Sequence, residues 1–354
     1  MLALLPIALI RAATGIFAAL FPHAAALFPH PIIAAFLAGD LIGGRPIVEL
    51  LCAALFGALA VWVQYAIAAH FLPSKYALGL ALLFAFGTSE WSVASRNLSQ
   101  HGLTVLLLGI SIYLAILARE RPRLIAWSAV PLALAFTVRP SNCVAVAVFT
   151  IYVAVHYRRE LPRFLICASP VAAWFFAHNL LALHSLLPVY YGQKSTESHP
   201  EQLLAIYLLS PSRGLFIFTP VFLFSIAGVV LAIRGKWLYP LAAYLAVIPC
   251  FHAILASLYW SGHTYGPRYF SDMIPIFVLF LIPPLLYWRN LPRGAMRAIT
   301  AGVFMLFAAW GVFVHARGAT STAANQWSAL PMDVDYARWR VWDWHDPQFL
   351  RGLQ

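Results

Sequence analysis

Between two long apolar runs lies the polar and aromatic stretch Tyr259-Trp260-Ser261-Gly262-His263-Thr264-Tyr265-Gly266-Pro267-Arg268-Tyr269-Phe270-Ser271-Asp272. Gly262 and Gly266 allow backbone turns that other residues resist. Pro267 suits the first turn of a helix, where its missing N–H group leaves no hydrogen bond unmade. The stretch therefore predicts a turn at a membrane surface that leads directly into an apolar helix.

Arg268 begins that predicted helix, and Asp272 follows one turn later on the same face. A cation held at a membrane surface and surrounded by Trp260, Tyr265 and Tyr269 can bind the phosphate of a lipid. The same residues also fit a second interpretation, in which an aromatic belt and one arginine anchor the helix at the interface. The sequence leaves both interpretations open.

The composition of the chain indicates its fold class. Of 354 residues, 62% are hydrophobic and only 10% are charged, whereas about 25% are charged in a typical soluble domain. Apolar runs of about 20 residues recur from end to end, which predicts an all-α, polytopic transmembrane helical bundle. The alternating segments of a membrane β-barrel do not occur in the sequence.

The net charge of +11 does not indicate a nucleic-acid partner, because the basic residues lie mostly in short loops between apolar runs. The four cysteines all fall inside apolar runs, so we expect small core residues and no disulfide. They are Cys52, Cys143, Cys167 and Cys250. Nothing in the sequence calls for a cofactor or a metal.

The sequence divides into three regions. Residues 1–46 form either outer interfacial helices or a first span, because Met1–Leu20 is apolar but Arg11 at its centre would cost about 2.5 kcal/mol or more in lipid. Residues 47–315 form the polytopic transmembrane domain. Residues 316–354 form a tail rich in tryptophan and aspartate, which we expect to pack on the membrane domain.

The apolar runs predict about 10 to 11 spans in total. The ten candidates after residue 46 are 47–71, 76–93, 100–118, 124–138, 142–157, 162–182, 214–233, 237–258, 269–288 and 296–315. The loops between them alternate between short basic ones and longer ones rich in aromatic, polar and acidic residues. Because positive short loops stay in the cytoplasm, we expect the longer loops and the C-terminal tail to be extracytoplasmic. The tail is then predicted to lie in the periplasm or its equivalent.

The outer ends of the apolar runs carry the candidate residues for binding a donor phosphate or substrate, although each of them also fits plain anchoring at the interface or a turn between helices. These candidates are Arg96, His101, Arg139, Arg213, Trp260, His263, Tyr265 and Arg268. Glu197, in the longest outer loop, can act as an acid or base, or can simply be solvated.

Several motifs give the chain a resemblance to a known family. They are Ser95–Gly102, Val138-Arg139-Pro140-Ser141-Asn142, Ser210-Pro211-Ser212-Arg213-Gly214-Leu215-Phe216, Trp260–Tyr269 and the tail segment Arg340–Arg351. In their order and spacing the chain resembles the GT-C membrane glycosyltransferases. The similar branch is the bacterial one related to dolichyl-phosphate-mannose protein mannosyltransferases and lipid A aminoarabinose transferases.

The resemblance implies transfer of a sugar from a polyprenyl-phosphate donor to an extracytoplasmic acceptor. It implies a carboxylate that deprotonates the acceptor hydroxyl and cations that stabilise the departing phosphate. In the family this carboxylate lies in an outer loop just after the first span, and no matching segment is found here. Asp40 is the only acidic residue before residue 47. The chain is therefore expected to be a shortened form, to use Asp40 instead, or to lack catalysis.

Two other functions remain open from the sequence. A transporter or flippase of lipid-linked sugars would show inverted repeats and broken helices in matching halves. A non-catalytic membrane subunit would bind a lipid phosphate through Arg96, Arg139 and Arg268. The expected partners in every case are membrane lipids and a lipid-linked sugar donor. The acceptor can be a lipid, a glycan or a protein.

Overall fold

The computed structural model describes residues 4–28, 30–188, 200–234, 239–255 and 262–353. Helices and turns make up these residues, and no β-strand occurs among them. The predicted all-α class is therefore confirmed for the described part of the chain.

The α-helices follow one another with short connections. They are α1 (Leu4–Leu20), α2 (Pro31–Leu37), α3 (Arg45–Phe71), α4 (Ser74–Phe86), α5 (Gln100–Leu117), α6 (Leu124–Trp127), α7 (Ala129–Val138), α8 (Cys143–His156), α9 (Leu161–Leu183), α10 (Pro200–Leu209), α11 (Leu215–Phe218), α12 (Leu223–Arg234), α13 (Tyr239–Leu255), α14 (Ile274–Leu279), α15 (Ile282–Asn290), α16 (Ala295–Thr320) and α17 (Thr322–Gln326). Short tight turns of helix join several of them, including a π-helical turn at Glu90–Ala94 and 3₁₀ turns at Pro140–Asn142 and Arg268–Met273.

Five helical segments in the described part are long and apolar enough to cross a membrane. They are α3, α5, α9, the continuous run Arg268–Asn290 and α16. These segments characterise the chain as an integral membrane protein. Other predicted spans are divided into shorter pieces: 124–138 is made of α6 and α7, and 76–93 is α4 followed by a bend and the π-helical turn. The predicted number of spans is thus not reproduced by single long helices.

The core of the bundle is built by neighbouring helices. α3 packs against α4 and α5, α5 against α7, and α7 against α9. α14 is buried along its whole length. Helices in a membrane associate mainly through close packing, which small residues permit. Gly228 of α12 shows this, because a Cβ atom there would lie 1.7 Å from the carbonyl oxygen of Phe280.

The polar loops gather at the two ends of the bundle. At one end, the indole of Trp288 donates a hydrogen bond to the carbonyl of Arg297 (2.9 Å). At the same end the guanidinium of Arg289 lies 5.4 Å from the ring centre of Tyr76. We call this the basic end. The other end, which we call the polar end, holds the loops around residues 88–101, 139–142, 210–214 and 262–273, together with the C-terminal tail.

The C-terminal tail packs on the polar end. The hydroxyl of Ser212 donates to the carbonyl of Val341 (3.0 Å). Trp327 is completely buried, its indole donates to the carbonyl of Asp346 (2.7 Å), and the guanidinium of Arg340 lies 4.4 Å from its ring centre. The other tryptophans of the tail remain exposed; they are Trp339, Trp342 and Trp344. One buried tryptophan therefore anchors the tail.

The N-terminal region lies beside the bundle. α1 and α2 contact each other, and both also contact α3. Arg11, near the middle of α1, is exposed. An exposed arginine on an apolar helix of 17 residues is compatible with a position at the interface, where the side chain reaches water.

Candidate functional site

The centre of the polar end is a buried ionic network. The carboxylate of Asp272 accepts a hydrogen bond from the guanidinium of Arg139, and its Oδ1 lies 3.0 Å from Nδ1 of His101. His101 occupies the first turn of α5, and Asp272 lies in the 3₁₀ turn before α14. Arg139 ends α7 in an extended conformation, because the following proline disfavours a helical residue before it. Three segments distant in the sequence are thereby joined.

Arg268 stands in the same 3₁₀ turn as Asp272. Gly266 adopts a φ of +58°, which glycine tolerates best. The turn at Gly266 sets the position of Arg268 at the start of the 3₁₀ turn. Nε of Arg268 is buried and has no hydrogen-bond partner among the residues that the structure describes. The guanidinium lies 5.7 Å from the ring centre of Tyr269. In the described part of the chain it forms no ion pair, so its charge is available to an anion.

The pairing of Asp272 differs from the expectation. Helical spacing placed Asp272 one turn after Arg268 and on the same face. Its carboxylate pairs with Arg139 and His101 instead, because the segment forms a 3₁₀ turn in which the facing of side chains differs from that of an α-helix. His101 lies within electrostatic reach of both Arg139 and Arg268. Among the described residues, Arg268 is therefore a second cation near the network of Asp272, Arg139 and His101.

Arg213 forms hydrogen bonds that connect the loops of the polar end with the C-terminal tail. It is completely buried, and its guanidinium donates to the carbonyl of Gly262 (3.1 Å) and to Oε1 of Gln348 (2.8 Å). Gln348 Oε1 also accepts from the backbone N–H of Gly266 (3.0 Å). Burial, followed by the charges of Arg268 and Arg340, lowers the pKa of Arg213 to about 9. These contacts assign Arg213 a positioning role; binding of phosphate by it remains a prediction.

Tyr265 is also used by the protein itself. Its hydroxyl donates to the carbonyl of Val314 in α16 (2.7 Å), and its ring packs so closely on α16 that a Cβ at Gly318 would lie 2.2 Å from it. Burial raises the pKa of Tyr265. The hydroxyl group of Tyr265, a candidate for binding the phosphate, thus already donates its hydrogen bond to a backbone carbonyl.

Two further candidates lie nearer the rim of the polar end. The guanidinium of Arg96 donates to the amide oxygen of Asn325. Nε2 of His263 lies 2.9 Å from Oδ1 of Asp333 and 3.7 Å from Oδ2 of Asp335. The ligand atoms of these three residues lie within 4.8 Å of one another, so they can hold a metal ion, which the sequence did not lead us to expect. His263 and Asp335 are exposed, and Asp333 is half-buried.

Of the two catalytic candidates, Asp40 and Glu197, the structure describes only Asp40. Asp40 lies in the turn between α2 and α3, and its Oδ1 accepts the backbone N–H groups of Ile42 (3.0 Å) and Gly43 (3.1 Å). This is the geometry by which an aspartate stabilises a turn, so Asp40 has a local structural use. Glu197 lies outside the described residues, as does the binding candidate Trp260.

One carboxylate, that of Glu90, was not singled out by the sequence analysis, although its environment is unusual for an acidic group. Glu90 begins the π-helical turn and is 2% exposed. Neither of its carboxylate oxygens has a hydrogen-bond partner in the described part of the chain. The side chain lines a cavity of about 380 Å³ together with Gly57, Ser95 and Arg96. A Cβ at Gly57 would lie 3.2 Å from Oε1 of Glu90, so the glycine allows α3 to pack closely against the carboxylate.

Burial raises the pKa of Glu90 to about 8. A carboxylate with such a pKa is suited to exchange protons near neutral pH. A signal for it existed in the sequence, because an acidic residue inside an apolar run is a functional candidate in a membrane protein. We read residues 76–93 as one uniform span and therefore missed it. π-helical turns are frequent at functional sites.

Comparisons of the chain with protein-family models, with curated proteins and with solved structures gave no match. The function must therefore be inferred from the residues of the site. Fold and site together define an integral membrane protein of helical type. Its polar end combines an arginine and a buried carboxylate that have no ionic or hydrogen-bond partner, respectively, among the described residues.

Proposed function

We propose that the chain is a membrane glycosyltransferase of the GT-C type, which moves a sugar from a polyprenyl-phosphate donor to an extracytoplasmic acceptor. The observation that carries the proposal is the guanidinium of Arg268, which forms no ion pair with a described residue and lies beside the network of Arg139, Asp272 and His101. A guanidinium offers a phosphate two parallel hydrogen bonds. Burial strengthens such bonds, because competing water is excluded.

The reaction also needs a carboxylate, and Glu90 is the group we assign to it. In its ionised form Glu90 takes the proton of the acceptor hydroxyl, and the acceptor oxygen forms a bond to the anomeric carbon of the sugar. The bond from that carbon to the phosphate oxygen breaks, and the polyprenyl phosphate leaves with the electron pair. Arg268 stabilises the charge that grows on this phosphate. The contact between Ser89 and Ser271 (3.2 Å between hydroxyl oxygens) joins the two segments that carry Glu90 and Arg268.

Substitution of Arg268 tests the donor site. Arg268→Lys keeps the charge but loses the planar fork, so we expect it to weaken binding of undecaprenyl phosphate to the purified protein by about 1–3 kcal/mol. Arg268→Ala should weaken binding at least as much. Arg289→Lys is the matched control, because Arg289 lies at the basic end over the ring of Tyr76, and it should bind as the unchanged protein does.

Unchanged binding in both Arg268 variants would show that Arg268 is a structural residue and that the phosphate is bound elsewhere. If binding falls as expected but the purified protein transfers no sugar from a polyprenyl-phosphate donor, the chain acts as a non-catalytic subunit that binds lipid phosphate.

The orientation we propose places the polar end outside a bacterial inner membrane and the basic end in the cytoplasm. Glu120, beside α5 at its C-terminal end, has a side chain that is 70% exposed, and Tyr336 in the tail is 89% exposed. In a cysteine-free background, Tyr336→Cys should react with a membrane-impermeant maleimide in intact cells. Glu120→Cys should react only after the membrane is opened. The reverse pattern would invert the orientation.

A further inference from the structure

An apolar groove runs along the outside of the bundle between α4, α15 and α16. Its volume is about 750 Å³, and side chains such as Leu80, Leu83, Phe304 and Ala308 line it. It begins near Lys75 and Trp288 at the basic end. Along α4, from Lys75 to Phe86, it extends for about 17 Å, at about 1.5 Å per residue.

The groove adjoins the cavity of Glu90. Phe86 and Trp91 line both spaces, and their ring centres lie 5.2 Å apart. The apolar groove therefore meets a smaller chamber, whose lining is mostly apolar but includes Glu90, Ser95 and Arg96. That chamber holds an unpartnered buried carboxylate, and Arg96 lies at its wall without a carboxylate partner in the described residues.

The two spaces together have the chemistry of a lipid site. α16 and the run containing α15 are apolar enough to cross the membrane, so the substance available to fill a groove between them is hydrocarbon. A buried carboxylate without a partner requires a hydrogen-bond donor, since an unsatisfied buried group is costly. A lipid hydroxyl supplies that donor. The cation Arg96 complements a phosphate on the same headgroup.

We infer that the acceptor is a hydroxyl-bearing, anionic membrane lipid. Its chain occupies the groove, its hydroxyl meets Glu90 and its phosphate meets Arg96. The inference rests on the proposed function in treating this lipid as the acceptor, whereas the binding site itself stands on the groove and the cavity. The donor phosphate at Arg268 is a separate ligand of the proposed reaction.

Photocrosslinking in nanodiscs tests this site. The probe is phosphatidylglycerol with a diazirine on one acyl chain, since its headgroup has both a phosphate and free hydroxyls. Mass spectrometry of the labelled protein should find the crosslinks concentrated on α4 and α16 at positions that line the groove. Crosslinks spread evenly over exposed residues of other helices, such as Leu59 and Trp62, would show that only bulk lipid is present.

A matched pair of glycines gives the control. Gly79 lines the groove and Gly302 does not, and a Cβ added at either position meets no atom within 4 Å. Gly79→Phe should lower labelling of the groove about tenfold because the ring fills it, and Gly302→Phe should leave labelling unchanged. Ala309→Phe is a second variant that fills the groove from α16, should Gly79→Phe fold poorly. Equal labelling in the filled and control variants would overturn the inference, and so would a crosslink to a second copy of the chain.

The headgroup is tested by a second probe. Phosphatidic acid carrying the same diazirine has the phosphate but lacks the hydroxyls. Glu90→Gln should reduce labelling by phosphatidylglycerol severalfold and leave labelling by phosphatidic acid unchanged, whereas Arg96→Gln should reduce both. Identical behaviour of the two probes in Glu90→Gln would remove Glu90 from the site.

Binding of undecaprenyl phosphate by Arg268→Lys is measured on the same preparations. If the Arg268 result holds and the labelling result fails, the donor site stands and the acceptor is not a lipid. If labelling holds and the Arg268 result fails, the chain binds a membrane lipid without the proposed donor site.

Discussion

Replacement of Glu90 by glutamine is expected to stabilise the protein at alkaline pH by up to about 5 kcal/mol and to leave its stability unchanged at acidic pH. The pKa of Glu90 rises from an ordinary value of 4.5 to about 8 through burial. Each unit of difference between the folded and unfolded states corresponds to about 1.4 kcal/mol. The effect is therefore large compared with that of most single substitutions.

The sign follows from the protonation of the two states. Below pH 4.5 the carboxyl group is neutral in both the folded and the unfolded protein, so it causes no difference. Between pH 4.5 and pH 8 the unfolded protein releases the proton while the folded protein keeps it, and the free energy of unfolding falls as pH rises. Above pH 8 the folded protein holds a buried charge. Glutamine cannot ionise and therefore removes this loss.

The measurement is thermal unfolding in detergent at a series of pH values, for the unchanged protein and for Glu90→Gln. Glu120→Gln is the control, because its side chain is 70% exposed, and it should follow the unchanged protein. Other ionisable groups contribute equally to all three proteins, so the difference isolates Glu90. Parallel pH curves for Glu90→Gln and the unchanged protein would mean that water reaches the carboxylate and that burial does not govern its ionisation.

The sequence predicted the helical class and the positions of most polar loops, because the apolar runs are long and their polar interruptions are sharp. The way in which helices are divided was not predicted. Residues 76–93 are apolar throughout apart from a few side chains, yet α4 ends at Phe86 and a π-helical turn follows. Hydropathy reports the average environment of a segment and does not register a change in backbone hydrogen bonding.

The motifs that carry His101, Arg139 and Arg268 all lie at ends of apolar runs in the sequence, and these residues come together at the polar end of the bundle. The partners of these residues were beyond the sequence. We paired Asp272 with Arg268 by helical spacing, whereas the carboxylate pairs with Arg139, a residue 133 positions away. Pairing across such a separation depends on how α5, α7 and α14 pack together. Local sequence patterns do not predict this packing.

Removal of the Asp272 carboxylate is the second substitution with a large expected effect. Asp272 is 3% exposed and Arg139 is 8% exposed, so Asp272→Ala leaves a guanidinium buried without its counterion. Breaking a buried pair in this way costs about 3–5 kcal/mol. Asp272→Asn should cost less, because the amide oxygen still accepts a hydrogen bond from Arg139.

The double variant Arg139→Met with Asp272→Leu distinguishes two contributions to stability. One is the destabilisation caused by an unpaired buried charge, and the other is the net stabilisation by the ion pair. Both charges are then absent, and apolar side chains of similar volume fill the space, so most of the lost stability should return. Asp343→Ala is the control for a surface pair, since its partner His345 is fully exposed, and such pairs contribute about 1 kcal/mol or less. Unfolding in a series of SDS concentrations measures the stability of the four variants and of the unchanged protein. If Asp272→Ala costs no more than Asp343→Ala, Arg139 finds another anion or water at the polar end, and the network is not the element that joins α5, α7 and α14.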